Sequence, residues 1–360
     1  MKKEILKKAY DLLDYLKTIK CEDSVSFTDE EVLEILKQEE TGAKVNYDRA
    51  IKKFLEGNRQ ALPPKSKRFI VYWGYPGAGK SVMTNHLIRR FGKEEDCLPF
   101  NIIDKDQHRD LFPNLFEHLK GGHIDECEKF DGVTIDYVRK ILDLSLQEGT
   151  RSVLSVGSMG AGVEFKDNAK KALEYGYKPC AVYMAVNPDI AYLSNVYRSA
   201  TLYDKIIFHN QELYPRLVSH EYFSRVVKML PNMIDNINQF QKENANDIDL
   251  LVINRADELL YDSRRPHHDN VREIIQIEEE RPFNTEELCS INQQLHKIHQ
   301  NMKYRYENQV YSPVKSEVEV AKIAVENIIK HIEGCERQRN SLIIKPREFN
   351  ELPRVSGIEL

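Results

Sequence analysis

The segment Gly74-Tyr-Pro-Gly-Ala-Gly-Lys80-Ser81 constrains this chain more than any other stretch. It satisfies G-x-x-x-x-G-K-[ST], the pattern of a loop that wraps phosphate oxygens in backbone N–H groups. Such a loop needs a strand before it and the N-terminus of a helix after it. Arg68-Phe-Ile-Val-Tyr-Trp73 supplies a short apolar run of β-branched and aromatic residues, which predicts a buried strand. Val82, Leu87, Ile88 and Phe91 recur at helical spacing behind the loop. This context argues against an ordinary glycine turn with an incidental lysine. Gly74, Gly77, Ala78, Gly79, Lys80, Ser81 and Val82 are therefore expected to bind ATP. Lys80 reaches its β- and γ-phosphates, and the Ser81 hydroxyl holds Mg2+.

Four further apolar runs predict buried strands, at Phe100–Ile103, Ser152–Val156, Cys180–Val186 and Ile248–Ile253. Helical patterns separate them. Strands that alternate with helices and read as continuous apolar runs indicate a mostly parallel sheet covered on both faces. The expectation is an α/β fold of the P-loop NTPase type, with helical N- and C-terminal extensions. Residues 1–64 form the helical lead-in, 65–265 the nucleotide-binding domain, and 266–360 a helical extension with a loose tail. Within the lead-in, Ala9, Leu12, Leu13, Leu16 and Ile19 mark one helix. Thr28 and Glu31 form a capping box for a second, and Tyr47–Leu55 a third. Beyond Pro266 no strand is expected. Glu273–Glu279 reads as acidic, and helices are expected over Thr285–Tyr306 and Ser316–Ile332.

The formal net charge is −5, so nothing global points to nucleic acid as a partner. Lys65-Ser-Lys-Arg68 is basic but short, and reads as a solvated approach to the first strand. No two of the six cysteines are spaced as C-x-x-C, which fits reduced thiols in the cytoplasm. The basic start is interrupted by Asp11 and Asp14, so no secretion signal is expected, and no run is long enough to cross a membrane. Delivery into another cell is left open. His267-His268 reads as part of a polar hairpin end, and His296 and His299 as surface residues, because no ligand set accompanies them.

Phe100-Asn-Ile-Ile-Asp104-Lys-Asp106 ends the second strand on two acids. Ligands of such sheets sit at the carboxyl ends of the strands. Asp106 can take the proton of an attacking hydroxyl or help hold Mg2+. It can also cap the helix that follows. Arg198 and Arg216 are candidate lid cations for the transferred phosphoryl, although either can be a solvated helix residue. The glycines at 157, 160 and 162 form either a second phosphate-approach loop or a plain turn.

Taken in order, these residues resemble the zeta toxin family over residues 69–261. Gly74-Tyr-Pro-Gly-Ala-Gly-Lys-Ser fits the family form G-x-P-G-x-G-K-[ST]. Ile103-Asp-Lys-Asp106 fits I-D-x-D, whose second aspartate is the family's catalytic base. Val182–Val186 with Ala191-Tyr-Leu193 and Tyr197-Arg198 fits the fourth strand and the first lid arginine. Arg216 with Val226-Val-Lys-Met-Leu-Pro231 fits the second. Asp249–Tyr261 with Asn254-Arg255 fits the last strand and hairpin. The resemblance implies a kinase that moves the ATP γ-phosphate to UDP-N-acetylglucosamine, catalysed by Asp106, Lys80, Arg198 and Arg216, with Ser81 and Asp106 at the metal. It implies substrate contacts at Asp104, Gly157 and Ser158, and a small helical antitoxin or another protein as partner.

The departures fall in the acceptor pocket. The family carries a glutamate on the helix before the third strand, where this chain has Asp136-Tyr-Val-Arg139-Lys140. The family's third strand ends E-G-T-G, whereas this chain has Val156-Gly157-Ser158-Met159-Gly160. A pocket built for hydrogen bonds discriminates strongly once partners are lost. Two other readings therefore stand beside the sugar-nucleotide kinase. One is a kinase for another sugar, a nucleotide, a cofactor or a polynucleotide end. The other is a catalytically silent ATP-binding module that acts on a protein through its helical extensions.

Overall fold

The computed structural model describes residues 1–21, 28, 30–31, 34–35, 37–38, 64–104, 127–157, 162–209, 217–265 and 270–343. The expected third lead-in helix, His267-His268 and the last residues of the tail lie outside these. So do Asp106, Ser158 and Arg216.

The apolar runs fold as strands β1 (Arg68–Trp73), β2 (Phe100–Asp104), β3 (Ser152–Gly157), β4 (Lys178–Met184) and β5 (Asp249–Ile253), with β6 (Leu259–Asp262) closing a hairpin. They form one sheet in the order β2-β3-β1-β4-β5-β6, parallel except for the β5–β6 pair. Every residue of β1 and β5 is buried, as strands covered on both faces require. β4 begins two residues before the apolar run does, because Lys178 already pairs with Arg68.

The helices are α1 (Lys2–Thr18), α2 (Lys80–Glu95), α3 (Cys127–Glu148), α4 (Phe165–Glu174), α5 (Pro188–His209), α6 (His220–Glu243), α7 (Val271–Glu280), α8 (Thr285–Glu307) and α9 (Lys315–Ile343). Local chemistry sets several starts. Asn187 caps α5 by accepting from the backbone of Asp189 at 2.9 Å and Ile190 at 3.3 Å, and Pro188 fills the first helical position. Asn284 and Glu287 form a capping box on α8. Thr28 and Glu31 bond reciprocally, at 2.7 and 3.2 Å, as their spacing predicts. The acidic stretch 273–279 is the body of α7, with Val271 and Ile275 on its buried face.

Helices α8 and α9 pack on α5, and α1 packs on both of them. Their apolar faces join the core that covers the sheet. His299 is half-buried against Tyr15, with ring centres 5.0 Å apart, so it is not the surface residue its spacing suggests. Arg68 is likewise no solvated residue. It is 4% exposed and bonds Asp249 at 2.6 Å and Glu95 at the amino end of the sheet. Arg264 extends that network to Glu95 and Asp262, both at 2.8 Å. Among the described residues no helix is long and apolar enough to cross a membrane.

Candidate functional site

Five parallel strands finish at one edge of the sheet, and β1 runs from that edge directly into the loop 74–79. The register brings Trp73 level with Gly157 on one side and Tyr183 on the other, while Asp104 lies level with Val156. The structure thus brings the glycine loop, Asp104 and Gly157 to the same edge.

Gly77 and Gly79 have φ values of +80° and +102°, a backbone region that side-chain-bearing residues rarely adopt. A Cβ on Gly77 would also lie 2.1 Å from the Ala191 carbonyl oxygen, because the loop is pressed onto α5. Gly79 leads into α2, and no side chain caps that helix. An uncapped helix N-terminus behind a glycine turn fits an anion, through its N–H groups and its partial positive charge. Lys80 folds over the loop and donates to the carbonyls of Gly74 at 3.0 Å and Tyr75 at 2.8 Å. Ser81 and Val82 face solvent in the first turn of α2. A hydroxyl at that position fits a hard cation held jointly with phosphate oxygens. Ala78 is fully buried beneath them.

Sequence reasoning assigns no role to Arg255, yet this residue grips the loop. It donates to the carbonyl oxygens of Ala78 at 2.8 Å and Gly77 at 2.7 Å, and to the Ser194 hydroxyl at 3.1 Å. Burial lowers its pKa to about 10, which still leaves it charged at neutral pH. A planar trans peptide points its C=O and N–H in opposite directions. Holding the Ala78 carbonyl outward therefore aims the Gly79 N–H into the loop. The signal for this role is only an arginine just after a strand, Asn254-Arg255.

Arg198 is half-buried on α5 and donates to Asn195 Oδ1 at 3.1 Å. Asn195 lies where the loop meets this helix, since its backbone nitrogen would be 2.9 Å from a Cβ on Gly77. Arg198 is thus one helical turn from the loop contact. At the two positions where the sequence departs from the family pattern, Arg139 is exposed and pairs with Glu164 at 2.6 Å, whereas Val156 is 5% exposed. Gly162 packs against Trp73 of β1 and Met233 of α6, where a Cβ would lie 2.4 Å from the Met233 methyl. Among the described residues no group of three His, Cys, Asp or Glu side chains could hold a metal by itself.

A parallel sheet with this loop at the end of its central strand defines a P-loop fold of the kinase-like type. The family model described as "Zeta toxin" matches residues 52–266, and the chain belongs to that family. No curated protein matches the chain. Among solved structures it is similar to one from the PezAT chromosomal toxin–antitoxin system of Streptococcus pneumoniae. That match has 18% identity and a TM-score of 0.55, and covers 76% of this chain and 98% of the other. A second structure, of the AvrRxo1-ORF1:-ORF2 complex, gives 13% identity and a TM-score of 0.44 over 72% of this chain and 80% of the other.

Proposed function

We propose that this protein is an ATP-dependent kinase that transfers the γ-phosphate to a hydroxyl of a sugar nucleotide such as UDP-N-acetylglucosamine. The observation that carries this reading is the donor loop. Its glycines adopt φ values that open the backbone, its helix is uncapped, and Lys80 lies over it within hydrogen-bond reach of two loop carbonyls. Gly74, Gly77, Ala78 and Gly79 cradle the phosphates, and Lys80 neutralises the β- and γ-oxygens. The Ser81 hydroxyl and Asp106 would hold Mg2+, which neutralises charge that develops on the phosphate oxygens. Asp106 accepts the proton of the acceptor hydroxyl. Asp104, Gly157 and Ser158 line the acceptor side, and Arg198 and Arg216 close on the moving phosphoryl. Residues 65–265 carry this chemistry, and the helices on either side support it. A small antitoxin-like protein is the proposed partner.

The test is to incubate the protein with ATP, Mg2+ and UDP-N-acetylglucosamine and read the products by mass spectrometry. The expected result is one added phosphate on the sugar, lost in Asp106→Asn and Lys80→Ala. ATP consumption without a modified sugar would overturn the acceptor and keep the kinase.

A specific observation favours a second acceptor. Arg139 and Val156 stand where the family carries acids. Arg139 is tied to Glu164, and Val156 is buried. A metabolite extract screened for ATP-dependent mass shifts tests this reading. No shift with any acceptor, together with intact ATP binding, would favour a silent nucleotide-binding module.

A further inference from the structure

Glu279 lies on α7, beyond the segment that matches the family model. Its side chain meets the donor site from behind. One carboxylate oxygen accepts from the Tyr75 hydroxyl at 3.2 Å and the other from the Tyr183 hydroxyl at 2.6 Å. Its backbone carbonyl accepts from Asn187 Nδ2 at 2.7 Å. Tyr75 belongs to the loop itself, Tyr183 sits near the end of β4, and Asn187 caps α5. One residue thus joins the phosphate loop, the adjoining strand end and the helix that bears Arg198.

The Tyr75 contact matters most for the donor site. The Tyr75 carbonyl is one of the two oxygens that hold the Lys80 ammonium. The Tyr75 ring is buried and packs near Phe223, with ring centres 5.7 Å apart. Fixing its hydroxyl therefore fixes the backbone on which Lys80 rests. Glu279 Oε2 and Oε1 take the two tyrosine hydroxyls separately, so one side chain ties the loop to the end of β4.

We infer that Glu279 is a positioning residue for the phosphate loop, so that the C-terminal helices complete the donor site. This inference rests on the ATP-binding reading above. It is tested on the full chain by titrating ATP with Mg2+ calorimetrically, alongside thermal melts. Glu279→Ala and Tyr75→Phe should each weaken ATP binding about tenfold, the scale of one unsatisfied buried polar group. The double variant should lose no more than the worse single one, because both break the same link. Glu279→Gln keeps an oxygen for Tyr183 and offers an NH2 to the Tyr75 oxygen, so it should bind ATP within about threefold of the wild type. Losses that multiply in the double variant, or variants that bind as the wild type does, would overturn the role and leave ATP binding standing. A wild type that takes no ATP would overturn both. Should Glu279→Ala fail to fold, Tyr75→Phe decides: affinity equal to the wild type sinks the inference.

Discussion

Arg255 holds the outer side of the phosphate loop with two bonds to carbonyls 177 and 178 residues away in sequence. Replacing it with Met leaves those carbonyls without donors, at about 1–3 kcal/mol. We expect ATP affinity to fall about tenfold in calorimetry, with only partial recovery in Arg255→Lys, whose single ammonium cannot reproduce the fork. Gly77→Ala is a harsher change. Its Cβ would meet backbone atoms of α5, which cannot swing aside as a side-chain tip can, and its φ of +80° is strained for any side chain. A destabilisation of about 2 kcal/mol or more is expected, read as a lowered midpoint in urea. The two residues differ in how openly the sequence declares them. Gly77 belongs to a local pattern whose spacing carries its own meaning. Arg255 acquires its role only when the turn after β5 folds against the loop, and no short-range pattern encodes that approach. The proposed roles of Asp106, Arg198 and Arg216 rest on the order of motifs along the chain, not on spacing alone.

At the scale of elements, burial raises the Glu279 carboxyl to about 7 from an ordinary 4.5, while the two tyrosine hydroxyls pull it down and Glu280 and Glu278 push it up. Asp189 and His331, 3.6 Å apart, flank it beyond Asn187, and Arg281 follows α7. A raised carboxyl pKa means that the folded state holds a proton that the unfolded state has already released. The contribution to stability is full below about 4.5 and is lost as pH rises through about 7. Glu279→Gln cannot titrate. Melts across pH 4.5 to 8 should show the wild type losing on the order of 1–3 kcal/mol relative to this variant over that window. Parallel melting curves for the two proteins would contradict this. The helix that carries Glu279 is also the element the sequence conceals best. A run so rich in glutamate reads as charge, and only Val271 and Ile275 betray a buried face. Strands β1, β4 and β5 are plain because burial on both faces makes them nearly continuous apolar runs.

For the whole molecule, the C-terminal helices are fastened by a charge pair inside the core. Arg305 bonds Glu317 at 2.5 and 2.8 Å, both side chains being 1% exposed, and its guanidinium lies 3.5 Å from the Tyr203 ring centre on α5. Removing one partner strands the other charge away from water. Arg305→Met should cost about 3–5 kcal/mol in thermal or urea unfolding, and Arg305→Met with Glu317→Leu should recover most of it. The close seat of Gly77 on α5 also decides which side of the loop is open. With no space on that flank for even a methyl group, and with Arg255 closing the outer side, the loop opens over the first turn of α2, where Val82 is 76% exposed. Among the described residues this is the open side of the loop, and a partner seated across Ser81 and Val82 would cover it.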